Sequence, residues 1–272
     1  MSARTLCVIG AALLLGMTAG AKAAVSADVP YVPTPWNVVE TMFDMAQVTA
    51  ADHLIDLGSG DGRIVIEAVK KRGARGFGIE LDPHLVKIAK EEAQKQGVAG
   101  RAAFAEGNLF TFNLHEASVL TMYLYPQVLM HLRPKLFEQL KPGTRVVSYV
   151  FAMEDWEPDE WVFFDNVQGM LWVVPARFDG NWRIQTGGPD PATYEVNLTQ
   201  RFQKINGQFM FGSAKLPLFD ANVLADRLRF TLVVGQRRFD FVGNHKGAEL
   251  EGTLFAVDVE QAVPRAGQST IL

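Results

Sequence analysis

The sequence predicts an α/β protein built on a doubly wound parallel sheet, followed by a small antiparallel β domain. Three observations predict it. From residue 29 to about 160, short apolar runs alternate with amphipathic stretches, several of them opened by a capping residue and a proline. A glycine-rich turn, within "DHLIDLGSGDGRI" (52–64), joins the first apolar run to the helical segment behind it. Beyond Pro175 the pattern becomes strict alternation, with Leu228, Phe230, Leu232 and Val234 set against Arg227, Arg229, Thr231 and Val233.

The elements follow in order. Thr34 stands as an N-cap with Pro35 at the first helical position, and Val38, Val39, Met42, Met45 and Ala46 then recur at helical spacing. A strand at 53–57 leads into the glycine loop, a helix at 62–72 and a second strand at 75–80. Lys70, Lys71 and Arg72 fall in that helix's last turn, where cations complement the dipole. Asp82-Pro83 opens the next helix and Gly97 closes it. The third strand is expected at 102–105 and the fourth at 119–125. Pro126 starts a helix, kinked or restarted at Pro134, that runs to the turn at 141–143, and "TRVVSYVF" (144–151) supplies the fifth strand. Strands separated by helices imply parallel pairing with right-handed crossovers. "EWVFFD" (160–165) and "GMLWVVPA" (169–176) pair at the sheet edge, and the aromatics from Phe163 to Trp182 read as core. This domain is placed at 29–177. The β domain, at 178–260, has five to seven strands in a sandwich or small barrel, with turns at 206–208 ("NGQ") and at Gly235-Gln236, and 261–272 reads as a tail.

Composition narrows the function classes. The chain has 272 residues, a formal net charge of −4 and no long basic run, which speaks against a nucleic-acid partner. Arg4 precedes an apolar stretch at 6–17, followed by Ala21-Lys22-Ala23. This is the pattern of a secretory signal peptide spanning 1–23, and it predicts export to the periplasm or envelope, with an uncut membrane anchor as the alternative. Cys7 is the single cysteine and lies inside that segment, so a cleaved chain has no disulfide, thiolate metal site or cysteine nucleophile. His53, His84, His115, His131 and His245 lack metal-ligand spacing, and no metal is expected.

The glycine loop then raises the question of its ligand. Gly58, Gly60 and Gly62 bring the third glycine one residue early for a dinucleotide fingerprint. Asp56 and Asp61 would both repel a pyrophosphate, and the loop has no phosphate-binding lysine. A cationic ligand suits them better. S-adenosylmethionine carries an ammonium and a sulfonium, and either carboxylate would attract the ammonium directly or through water. Glu80, eighteen residues beyond Gly62 at the second strand's end, is placed to accept both ribose hydroxyls. In "EGNLF" (106–110), Asn108 is placed to meet the adenine amine, and Leu109 or Phe110 to cover the ring.

The run from 29 to about 160 resembles class I S-adenosylmethionine-dependent methyltransferases, with "DLGSGDGR" as the glycine-loop motif and "GIELDP" as the ribose motif. More narrowly, "PYVPTP", "DLGSGDGRIV" and "LKPGTRVVSYVFAMEDWEPDE" resemble a bacterial branch of a family whose eukaryotic members methylate lysines of the mitochondrial adenine nucleotide carrier and the ATP synthase c-ring protein. The resemblance covers about half the chain and implies a Rossmann-like sheet and N-methylation of an amine such as a protein lysine. Asn108 departs from the aspartate the family often has there, so the adenine contact would pass through an amide.

Methyl transfer to an amine needs a nucleophile held in line and deprotonated. "YLYP" (123–126), at the fourth strand's carboxyl end, and "PYVPT" (30–34), read as a lid, carry the candidate catalytic residues Tyr31, Tyr123 and Tyr125. His131 is expected to pack or cap within the following helix. Asp155, Glu157, Asp159 and Glu160 around Trp156 read as a solvated acidic turn or as the border of the acceptor entrance, and Arg237, Arg238, His245 and Lys246 as a solvated basic face. Three functions fit the sequence: an amine methyltransferase, a small-molecule or lipid methyltransferase at a membrane, and an exported binding or structural protein that keeps the fold without turnover.

Overall fold

The computed structural model describes residues 31–164, 167–185, 192–246 and 249–257. The expected signal peptide, its cleavage site and the tail lie outside the described residues. Four helices, α1 (Trp36–Met45), α2 (Arg63–Arg72), α3 (Pro83–Lys95) and α4 (Pro126–Gln139), flank a sheet made of β1 (His53–Leu57), β2 (Arg75–Glu80), β3 (Ala102–Glu106), β4 (Val119–Met122), β5 (Arg145–Tyr149), β6 (Glu160–Phe164) and β7 (Val167–Val173). The strand order is β3-β2-β1-β4-β5-β7-β6. β1 to β5 run parallel, and β7 is antiparallel to both β5 and β6.

Helices on both faces explain why the central strands read as continuous apolar runs. Side chains alternate across the sheet: Leu54, Val119 and Val147 join α1, α2 and α3 in one core, while Ile55, Leu120 and Val146 join Leu129, Leu132 and Leu136 of α4 in the other. Charge reinforces the first layer, because Lys71 and Arg72 in the last turn of α2 pair with Glu40 and Asp44 of α1.

Several boundaries differ from the sequence expectation, each for a local reason. The first helix begins at Trp36 with Pro35 as its N-cap, because the Thr34 carbonyl accepts from Arg63 Nη1 (3.0 Å) instead of a helical N–H. α4 runs through Pro134 to Gln139 without restarting, anchored by Leu129 and Leu132 before the proline and Leu136 after it. β4 ends at Met122 and β5 at Tyr149, where Val150 turns away with φ +70°.

The remaining strands are β8 (Gly180–Gln185), β9 (Thr193–Arg201), β10 (Lys204–Phe211), β11 (Ala214–Pro217), β12 (Phe219–Leu224), β13 (Arg227–Val234), β14 (Arg237–Lys246) and β15 (Glu249–Val257). Their order, β11-β10-β12-β13-β14-β15-β8-β9, is joined by a β9–β10 pairing that closes seven of the eight described strands into a barrel, with β11 outside the closure. One junction is parallel, β15 to β8. Val196, Leu198, Ile205, Phe209, Phe230, Phe241 and their neighbours fill the interior, as expected of a small barrel.

"NGQ" is not a turn. Asn206, Gly207 and Gln208 lie inside β10, and the reversal falls at Phe202 and Gln203. Gly207 is needed for close approach, since a Cβ there would overlap the Asn197 carbonyl of β9. Of the aromatics read as core, Trp172 and Phe178 are fully buried, but Phe163 on the edge strand β6 is 71% exposed.

Candidate active site

The carboxyl ends of β1 to β5 carry the residues singled out above. Gly58 N–H and Ser59 N–H both donate to the Ile79 carbonyl, and Gly62 N–H donates back to Ser59. This tight turn needs φ of +74°, +52° and +80° at Gly58, Gly60 and Gly62, which only glycine adopts without strain. Neighbouring segments also crowd it. A Cβ on Gly62 would lie 2.7 Å from the Phe104 ring, and one on Gly60 would overlap the Tyr31 ring.

The three acids have different surroundings. Asp56 is 3% exposed and accepts from Thr121 Oγ1 (2.7 Å). Burial, opposed by that hydrogen bond and aided by the charges of Glu80 and Asp61, pushes its pKa up to about 7. Glu80 is a hub for main-chain donors: Oε2 accepts from Gly60 N–H (2.9 Å), and Oε1 from Leu81 N–H (2.7 Å) and Asp82 N–H (3.0 Å). Asp61 is fork-paired with Arg63, with Nη2 to Oδ2 at 2.7 Å. Burial opposes its ionisation, but the hydrogen bonds and charge of Arg63 outweigh burial and hold the carboxyl below its ordinary range. Its charge is therefore already matched, which leaves Asp56 and Glu80 as the carboxylates for a cationic, hydroxyl-bearing ligand.

Asn108 opens a turn in which its Oδ1 accepts from Phe110 N–H (2.8 Å). The loop is fixed from the other side of the chain by Lys135 of α4, whose Nζ donates to the Leu109 carbonyl (2.8 Å) and the Phe112 carbonyl; burial lowers the pKa of this lysine. His131 packs edge-on against Phe110.

The three tyrosines separate into two groups. Tyr31 lies across the glycine loop, its hydroxyl hydrogen-bonded to Asp61, and burial followed by that carboxylate raises its pKa, so it serves as a donor and not as a base. Arg63 joins the glycine loop to residues 34–36: it pairs with Asp61, donates to Thr34 and stacks 4.9 Å over Trp36. Tyr123 and Tyr125 instead meet on an aromatic wall. The Tyr123 ring is 4.9 Å from Tyr149 and 6.4 Å from Phe151, and Tyr125, 40% exposed, is 5.7 Å from Phe151. Tyr149, Phe151, Arg63 and Lys135 were not anticipated. Tyr149 ends β5 and Phe151 follows it, much as Tyr123 and Tyr125 follow β4, so the same strand-end rule applied to "SYVF" finds them; the two cations carry no local signal.

The carboxylates of the acidic segment after β5 are exposed, as expected of a solvated turn, and the segment is also pinned by ion pairs. Trp156 is fully buried, Asp155 pairs with Arg133 and Arg201, and Glu157 pairs with Lys204. On the basic face Arg238 pairs with Asp240, and the exposed His245 packs against the Phe178 and Trp182 rings, which also meet each other. Among the described residues no three His, Cys, Asp or Glu side chains gather as a metal site, and no helix is long and apolar enough to cross a membrane.

The site suits S-adenosylmethionine on its own chemistry: a tight turn whose glycines present bare backbone, a buried acid that a nearby cation would ionise, a carboxylate at the end of β2, and the Ser59 hydroxyl, buried without a hydrogen-bond partner in the loop. Comparison with known proteins agrees. A family model, the ANTKMT methyltransferase domain, matches residues 56–160. The crystal structure of an RNA methyltransferase from Salinibacter ruber in complex with S-adenosyl-L-homocysteine is 50% identical, with a TM-score of 0.53, covering 54% of this chain and 96% of that one. A protein-lysine N-methyltransferase of Saccharolobus islandicus (strain REY15A) is 45% identical over 133 residues, which are 48% of this chain and 83% of that protein. The adenine nucleotide translocase lysine N-methyltransferase of Mus musculus is 34% identical over 131 residues, which are 48% of this chain and only 57% of that protein. Fold, site and relatives thus define a class I S-adenosylmethionine-dependent methyltransferase. Within that class, the chain belongs to the ANTKMT methyltransferase family.

Proposed function

We propose that this methyltransferase acts on the ε-amine of a protein lysine. The observation that carries the reading is the 45% identity to a protein-lysine N-methyltransferase across 83% of that protein's length. The acceptor side supports it. An aromatic wall of Tyr123, Tyr125, Tyr149 and Phe151 attracts an ammonium through its ring faces by about 0.5–2 kcal/mol, and its hydroxyls offer acceptors to the amine that follows deprotonation.

Bound S-adenosylmethionine supplies a methyl group already activated by its sulfonium. We assign Gly58, Gly60 and Gly62 to close backbone approach, Asp56 to the ligand's positive end, Glu80 to the ribose, and Asn108 and Leu109 to the adenine. Tyr31 covers the loop, while Tyr123 and Tyr125 orient the amine in line and keep water out. No residue need bond covalently to the methyl group. The work of the chain is alignment and the exclusion of competing nucleophiles.

RNA is the competing acceptor, because the Salinibacter ruber relative is described as an RNA methyltransferase. The net charge of −4 and the lack of a basic run stand against it. We also propose, on the sequence of residues 1–23, that the protein is exported and meets its acceptor at the envelope. The test is transfer of labelled methyl from S-adenosylmethionine to poly-L-lysine, poly-L-arginine and total RNA. Label in methyl-lysine alone is expected; label in nucleosides would overturn the lysine reading.

A further inference from the structure

The family match ends at residue 160, and the barrel begins beyond it. Yet the barrel grips the loop after β5, which carries Phe151 of the acceptor wall. We propose that the β9–β10 hairpin, residues 201–204, is a brace that positions Phe151, so that the barrel governs acceptor affinity and not cofactor affinity. This rests on reading Tyr123, Tyr125 and Phe151 as the acceptor wall.

The loop between β5 and β6 starts and continues in uncommon backbone. Val150, a β-branched residue, has φ +70°, and Glu154 has φ +50°. Such conformations persist only where the surroundings over-determine them. The near end is held from within the sheet, where Ser148 Oγ donates to the Phe151 carbonyl (2.7 Å) and Val150 N–H to the Gln168 carbonyl (2.7 Å).

The far end is held by the barrel. Arg201 pairs with Asp155, Gln203 Nε2 donates to the Glu157 carbonyl (2.6 Å), and Lys204 Nζ pairs with the Glu157 carboxylate (2.6 Å). Between them the Phe202 ring stacks 5.9 Å from Trp156 and 5.5 Å from Phe137. Arg133 of α4 closes the grip: its guanidinium lies 5.3 Å over Phe202, donates to the Met153 carbonyl (3.0 Å) and pairs with Asp155. Four consecutive hairpin residues thus hold three consecutive loop residues, 155 to 157. Phe202 adopts φ +56° at the turn that presents its ring to this seam.

Hydrogen–deuterium exchange on the full-length protein tests the brace, with Phe202→Ala and with the double variant Arg201→Ala/Lys204→Ala, whose side chains are exposed and whose removal spares global stability. Amides 149–153 should exchange about tenfold faster in both, with β1 and β2 unchanged. S-adenosylhomocysteine affinity should stay within about twofold, while KM for poly-L-lysine rises about fivefold at constant kcat, and Phe202→Tyr should restore it. Unchanged exchange at 149–153 in a folded variant, or faster exchange with unchanged KM, overturns the proposal. If the wild-type protein leaves poly-L-lysine unmethylated, the lysine reading fails, and the brace stands or falls on the exchange result alone.

Discussion

Two carboxylates at adjacent strand ends do different work because their surroundings differ. Glu80 is held by three main-chain N–H groups, one of them from Gly60, so its geometry is set before any ligand arrives. Glu80→Gln keeps the volume, removes the charge and replaces one acceptor oxygen with an amide nitrogen that cannot accept from a main-chain N–H. It should weaken S-adenosylhomocysteine binding by about 1–3 kcal/mol, read by calorimetry; unchanged affinity would contradict the ribose role. Asp56 titrates near 3.8 when unfolded and at about 7 when folded, because burial disfavours its charge. Between those values the native state holds a proton that the unfolded chain has lost. Stability should therefore fall as pH rises through that window, by roughly 4 kcal/mol in all, and level off above it. Urea melts from pH 4 to 8 should show this slope, and Asp56→Asn should flatten it. A cationic ligand favours the ionised form, so binding near pH 6.5 should release a proton and tighten as pH rises, and neither effect should survive in Asp56→Asn.

At the scale of elements, the glycine loop is where backbone and ligand chemistry coincide. Gly62 caps α2 with φ +80° against Phe104 and Ala89, whereas Gly97 after α3 has φ +71° with nothing near its missing Cβ. Gly97→Ala should cost about 1 kcal/mol for conformation alone, and Gly62→Ala about 3 kcal/mol or more, because strain and overlap add. Urea denaturation of the two variants measures the difference, and equal costs would contradict the packing account. These contrasts also show what the sequence makes legible. The parallel strands, α3 with its Asp82 cap and the acid-flanked glycine loop could be read because each depends on neighbours in the chain. Lys135 and Arg63 act across the fold, and no local pattern records a partner 26 or 29 residues away. "NGQ" misled for the same reason: Gly207 answers to the Asn197 carbonyl across a strand pair, not to a turn. The acidic patch around Trp156 is solvated as read, but its ion pairs were not legible, because its cations sit in α4, β9 and β10, 22 to 47 residues away.

For the molecule as a whole, a methyltransferase sheet and a filled barrel are joined at an aromatic seam of Phe137, Trp156 and Phe202. We propose that the sheet supplies a cofactor edge lined with acid and an acceptor wall lined with aromatic rings. The measurement that tests it most directly is product identification after incubating the wild-type protein and Glu80→Gln with methyl-labelled S-adenosylmethionine and an envelope extract supplemented with total RNA. Label in methyl-lysine after acid hydrolysis is expected, much reduced with Glu80→Gln. Label in nucleosides or lipids, or equal label from both proteins, would contradict it.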